Sequence, residues 1–159
     1  MPADDALRAF AAGLAGPDRI ARLRAGLIGE GIEVPGPFGP HPLVYADYVA
    51  SGRALRQVEE FVMASVLPHY ANSHTEASFC GGQMTRLRRA ARAVIAACCG
   101  ATEEHATVFV GSGATAGINR LVSLFGVDAA VREGRRAVVV IGPYEHHSND
   151  LPWREANVR

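Results

Sequence analysis

The sequence predicts an α/β fold: N-terminal helices leading into a parallel βαβ unit. Three observations carry that expectation. Before Gly100 the apolar residues recur at helical spacing, and after it they gather into short β-rich runs. Two such runs, "TVFV" (residues 107–110) and "AVVVI" (residues 137–141), flank a helical pattern, "AGINRLVSLFG". A helical crossover of this kind joins parallel strands and is right-handed.

The elements follow in order. Residues 4–30 hold two short helical patterns, "DDALRAFAAGLA" and "PDRIARLRAGLIGEG". Pro17 suits a first helical turn, and Gly29 and Gly31 suit the exit. "VPGPFGPHP" has four prolines with glycines between, so it reads as an extended connector, neither helix nor central strand. "LVYADY" (residues 43–48) is a short strand candidate. "RALRQVEEFVMASVLPHY" places Leu55, Val58, Val62 and Val66 at helical spacing and stops at Pro68. "ANSHTEASFCGGQ" reads as a polar loop, and "MTRLRRAARAVIAACCG" as a helix ending at Gly100. "AVVVI" is apolar on both faces, which calls for cover on both sides of a sheet. A parallel sheet of two or three strands would leave an unpaired apolar edge. With "EHHSNDLPWREANVR" after the second run and no closing element, the sequence reads as the front of a larger domain. The expected division is residues 1–42, helices and connector, and residues 43–159, the first part of that domain.

The chain has 159 residues, enough for a real core, and its 16 basic and 16 acidic residues give a formal net charge of +0. That balance asks for neither nucleic acid nor an anionic membrane. "MPADDALRAF" has no signal-peptide pattern, and no apolar run is long enough to span a bilayer, so the expected location is cytoplasmic. The three cysteines, Cys80, Cys98 and Cys99, form no disulfide framework. Cys98 and Cys99 are expected on a buried helix face, and Cys80 in a Gly-rich loop. All sixteen cations are arginine. A chain without lysine cannot form a lysine Schiff base.

Chemistry concentrates in two segments. "GSGATAGIN" (residues 111–119) lies between a strand candidate and a helix. A helix N-terminus offers unpaired N–H groups to an anion, and glycines let the backbone approach it. Thr115 could cap the helix or donate its hydroxyl to a phosphate. The Gly-Lys-Ser/Thr ending of a P-loop is missing, so a plain strand-to-helix turn stays open beside a phosphate cradle. "PYEHHSNDLPW" (residues 143–153) leaves the second strand candidate at the same sheet edge, where ligands of parallel sheets sit. His146 and His147, with Glu145 and Asp150, admit a metal reading. Adjacent histidines on an extended segment point to opposite sides, however, and no HExxH-type spacing supports a metal.

Together the two segments resemble the class V aminotransferase and cysteine desulfurase family of fold type I pyridoxal-phosphate enzymes. Upstream, "YADYVASGR", "YANSHTEAS" and "TRLRRAARAVIAACCGA" are similar to further family stretches in the same order, so the resemblance runs from about Leu43 onward. It implies a partial three-layer α/β/α large domain, preceded here by N-terminal helices. It implies pyridoxal 5′-phosphate as cofactor, an amino-acid substrate and a homodimer, with no nucleic acid and no membrane. It implies that Gly113, Ala114 and Thr115 hold the cofactor phosphate. His146 would stack on the pyridine ring and take part in proton transfer, facing inward with His147 outward. Asn72 and His74 would lie near the substrate entrance, and Asn119 and Trp153 would be structural.

Three departures qualify the resemblance. Thr75 follows His74 where desulfurases often have Arg, and Val49 replaces one of a pair of alanines, which puts a cysteine substrate in doubt. The family's Schiff-base lysine, and the aspartate under the ring nitrogen, belong to stretches further along than this sequence reaches. Two functions therefore stand side by side. One is the N-terminal portion of a pyridoxal-phosphate aminotransferase or desulfurase-like enzyme, inactive alone. The other is a non-catalytic phosphate-ligand or partner-binding module derived from that fold.

Overall fold

A computed structural model describes residues 3–156. The ends of the two expected domains, residues 1–2 and 157–159, lie outside the described residues. The chain divides into two compact units, Met1–His105 and Ala106–Arg159, so a unit boundary falls inside the segment expected to be one domain.

The first unit begins with α1 (Ala3–Leu14) and α2 (Arg19–Ala25). The Pro/Gly segment then forms a hairpin of β1 (Glu33–Gly36) and β2 (Gly39–Pro42), where the sequence suggested only an extended connector. The register explains how a proline-rich strand pair is tolerated. The Leu43 N–H donates to the Ile32 carbonyl at 2.8 Å, which fixes 32 and 43 as a hydrogen-bonded pair. Pairs then alternate along the antiparallel ladder. Glu33 faces Pro42 and Pro35 faces Pro40, both at positions that need no N–H. Gly39, at φ 113, takes a backbone conformation that favours glycine as the chain returns.

Residues 43–48, a strand candidate, form no strand. The Tyr45 hydroxyl instead donates to the Ser51 carbonyl at 2.6 Å, and the Arg53 guanidinium lies 5.2 Å from the Tyr45 ring centroid. The helical pattern that follows is α3 (Arg56–Phe61), continued by a π turn (Val62–Val66) and a 3-10 turn (Leu67–His69). Pro68 lacks an N–H and crowds the carbonyl four residues back, which disrupts an α-helical ladder there.

The long helix α4 spans Phe79–Cys98 and starts earlier than its apolar spacing suggested. Ser78 caps it by accepting the Gly81 N–H at 3.1 Å. Cys80 therefore sits in a helical turn, not a loop. Cys98 and Cys99, expected to be buried, are exposed. The core of this unit is small: Ala6, Gln83, Met84 and Thr85 are buried, and the rings of Phe10 and Phe61 pack at 4.8 Å.

The second unit holds α5 (Gly113–Leu124), α6 (Val127–Arg132) and α7 (His147–Glu155). Val122, Val127, Trp153 and Ala156 form its core, with Ile118, Ala137, Val139 and Ile141 packed against it. The expected parallel βαβ ladder is not formed. Residues 107–110 and 137–141 form no strand, and the only sheet among the described residues is the β1–β2 hairpin. The period-2 pattern nevertheless operates in the second segment. Ala137, Val139 and Ile141 turn toward the helices while Val138 and Val140 are 61% and 91% exposed. Cover was expected on both faces, and one face is bare. Side-chain burial gives the alternation of a strand, but a ladder also needs a hydrogen-bonded neighbour, and no ladder joins this segment among the described residues.

Candidate functional site

The glycine-rich turn delivers a helix N-terminus in the second unit. Gly111 and Gly113 adopt φ 115 and 79, conformations that favour glycine. A Cβ on Gly111 would meet only the Ala116 Cβ, at 3.6 Å, and one on Gly113 would meet nothing within 4 Å, so the space above the turn is open. Ser112, not Thr115, is the N-cap residue of α5, and its side chain makes no capping hydrogen bond. Gly113, Ala114 and Thr115 are thus the first three helical residues, whose N–H groups have no acceptor within an α-helix. Thr115 is exposed at the third position. Asn119, one turn on, donates from Nδ2 to the Thr115 carbonyl at 2.9 Å.

The loop expected at residues 143–153 is largely helix. His146 is the N-cap of α7, with extended backbone at φ −67 and ψ 150. Its Nδ1 accepts the Ser148 N–H at 3.1 Å and lies 3.0 Å from the Ser148 hydroxyl. A neutral ring that accepts at Nδ1 carries its proton on Nε2. His147 is the first helical residue, and the two rings are 6.1 Å apart. The alternation argument for this pair thus applies to His146 and ends there. Pro152 within the helix hid α7 from a reading of sequence pattern. Side chains support the turn that proline weakens: Asn149 donates to Glu145 at 2.9 Å, Trp153 Nε1 donates to Asn149 Oδ1 at 3.1 Å, and Arg154 pairs with Asp150 at 2.5 Å.

Asn72 and His74 belong to the first unit, where they line a cleft of about 350 Å³. Its opposite wall is one stripe of α4: Met84, Leu87, Arg88 and Ala91, at the i, i+3, i+4, i+7 spacing of a helix face. The segment is held in place by named contacts. The Thr85 hydroxyl lies 2.7 Å from the Ser73 carbonyl and 2.8 Å from that of Gly81. Arg89 pairs with Glu76 at 2.6 Å. Gly81 is glycine because a Cβ there would approach the Thr75 carbonyl to 2.4 Å. Arg88 was not singled out from sequence. It sits in an arginine-rich run where nothing local marks one guanidinium from the next.

Among the described residues no group of three or more His, Cys, Asp or Glu is placed to hold a metal ion. No helix among them is long and apolar enough to cross a membrane.

Residues 44–159 match the family Aminotransferase class-V. The chain belongs to that family. It is 33% identical over 113 residues to a cysteine desulfurase of Enterobacter sp. (strain 638), covering 71% of this chain and 27% of that protein. A protein of Streptomyces coelicolor described as a probable cysteine desulfurase is 29% identical over 115 residues, covering 72% of this chain and 27% of its own length. The chain thus spans about a quarter of the length of these relatives. No solved structure matches it. Class V aminotransferases are pyridoxal-phosphate-dependent and of α/β fold type I.

The residues present fit part of that cofactor. For the phosphate, the α5 N-terminus would offer three N–H groups without a helical acceptor and clearance above Gly111 and Gly113. The exposed His146 ring offers a face for stacking. An amine for covalent attachment does not come from a side chain here, since the sequence has no lysine.

Proposed function

We propose that this chain is the cofactor-phosphate portion of a pyridoxal-phosphate-dependent, cysteine desulfurase-like class V aminotransferase. The observation that carries the reading is the open N-terminus of α5, left uncapped by side chains beneath two glycines at positive φ. Gly113, Ala114 and Thr115 hold the phosphate through backbone N–H groups and the Thr115 hydroxyl. His146 orients the pyridine ring by stacking, and its Nε2 exchanges a proton with the reacting amino acid. The cofactor supplies the electron sink for charge developing at the substrate Cα. Asn72 and His74 contribute to substrate entry. Segments 107–110 and 137–141 become strands of a three-layer α/β/α large domain, and the complete enzyme is a cytoplasmic homodimer acting on an amino acid. A second reading is a non-catalytic phosphate-ligand or partner-binding module on the same scaffold.

Equilibrium dialysis of the chain against pyridoxal phosphate and against pyridoxal tests the cradle. Retention is expected to be weak and to depend on the phosphate; equal retention of the two compounds would remove Gly113, Ala114 and Thr115 from the site. Borohydride reduction followed by peptide mass spectrometry should find no pyridoxyl group on an internal side chain. An internal adduct would contradict the reading.

A further inference from the structure

We infer that the cleft between residues 70–74 and α4 is a carboxylate site in which Arg88 is the charge anchor. The α4 stripe that forms its wall mixes one cation with three apolar residues, Met84, Leu87 and Ala91. Arg88 is half-buried there, and among the described residues it has no carboxylate or other hydrogen-bonding partner. Its helix neighbours differ. Arg86 donates to Gln83 Oε1 at 2.9 Å, and Arg89 is paired with Glu76. A guanidinium that lacks a counter-charge favours an anion, and its planar fork matches a carboxylate in a bidentate pair. Asn72 and His74 on the facing wall add an amide donor and an imidazole nitrogen.

Size and lining define the ligand further. A volume of about 350 Å³ lies at the small end of ligand pockets and suits a molecule of amino-acid dimensions. The lining contains no Asp or Glu, so an ammonium group finds no counter-charge within it. The apolar wall takes a short side chain, while the carboxylate end meets Arg88. The ligand class is therefore a small carboxylate with a short apolar group. Its identification as an amino acid rests on the proposed function. Thr85 and Gly81 keep the facing segment in register, so the cleft is set by α4 itself.

Titration of the 15N-labelled full chain, without cofactor, with L-alanine and with ethylamine tests the assignment, since the two differ only by the carboxylate. L-alanine should produce saturable amide shifts at residues 70–74 and 84–91, and ethylamine none. Arg88→Gln should weaken the alanine response by about tenfold or more, the usual scale for losing a charge-assisted pair. Arg88→Lys should restore part of it, and Arg86→Gln should leave it intact. Equal responses to both ligands, an unchanged Arg88→Gln titration, or inorganic phosphate binding as tightly as alanine would overturn the carboxylate site. A chain that retains pyridoxal phosphate but shows no Arg88-dependent shifts overturns the anchor and leaves the family function standing. Arg88-dependent shifts without cofactor retention support the anchor and count against the cofactor cradle.

Discussion

His146 accepts the Ser148 amide at Nδ1, so the ring proposed to stack on the cofactor is also the cap of α7. One substitution series separates the two roles. His146→Ala removes both and should cost roughly 0.5–2 kcal/mol of stability through the lost cap. His146→Asn keeps a good capping group but not the imidazole face, so thermal stability should hold while cofactor retention falls. Unchanged retention in His146→Asn would leave His146 a structural residue. His147→Ala should change neither quantity, and in the complete enzyme it should cost far less activity than His146→Ala. At Thr115, loss of the hydroxyl in the intact enzyme should weaken cofactor retention by about 1–3 kcal/mol, the range for a charge-assisted hydrogen bond. Retention that does not change would take Thr115 out of the cradle.

Helix α4 joins a cap, a close approach and a ligand wall in its first three turns. Ser78 satisfies the Gly81 N–H, and Gly81 admits the Thr75 carbonyl. The Thr85 hydroxyl reaches the Ser73 carbonyl. Gly81→Ala forces a Cβ to 2.4 Å from that backbone oxygen, so the loop must move. The expected cost is about 1–3 kcal/mol, as for other overpacked sites. Thermal denaturation measures it, and an unchanged midpoint would mean that residues 73–75 are not held against the helix. Ser78 was readable as a cap, because Ser at the boundary of a helical run is a known start signal. The adjacent glycines, Gly81 and Gly82, obscured it, since local propensity counts each against a helix. Their reason is the nearby backbone of residues 73–75, which no local rule registers.

Across the whole molecule, polar patterning and apolar exposure disagree. The formal net charge is +0, and Val108, Val138 and Val140 are 62%, 61% and 91% exposed on segments that join no sheet among the described residues. Unpaired edges and bare apolar faces promote association. The isolated chain is therefore expected to bind a hydrophobic dye and to self-associate with rising concentration. Val138→Lys combined with Val140→Lys should reduce both effects with little loss of thermal stability, because those side chains face away from the Trp153 core. Light scattering and dye fluorescence read the result. A strictly monomeric, dye-silent parent chain would show that this face is covered.

Residue types and spacing alone established several of the helical segments and the family, because each is a local pattern or a short motif in order along the chain. The glycine-rich turn before a helix was equally legible, since only glycine takes the φ values at 111 and 113 freely. Other features needed the tertiary structure. Proline at 152 argued against a helix that Trp153 burial and the His146 cap sustain. Prolines at 35, 40 and 42 argued against strands that are possible because each falls where no N–H is needed. Segment 137–141 carries the alternation of a strand, and whether it joins a sheet depends on a neighbour that its own residues do not specify. Arg88 became distinct from Arg86 and Arg89 only through their partners, because a salt bridge is a property of two positions brought together by the fold.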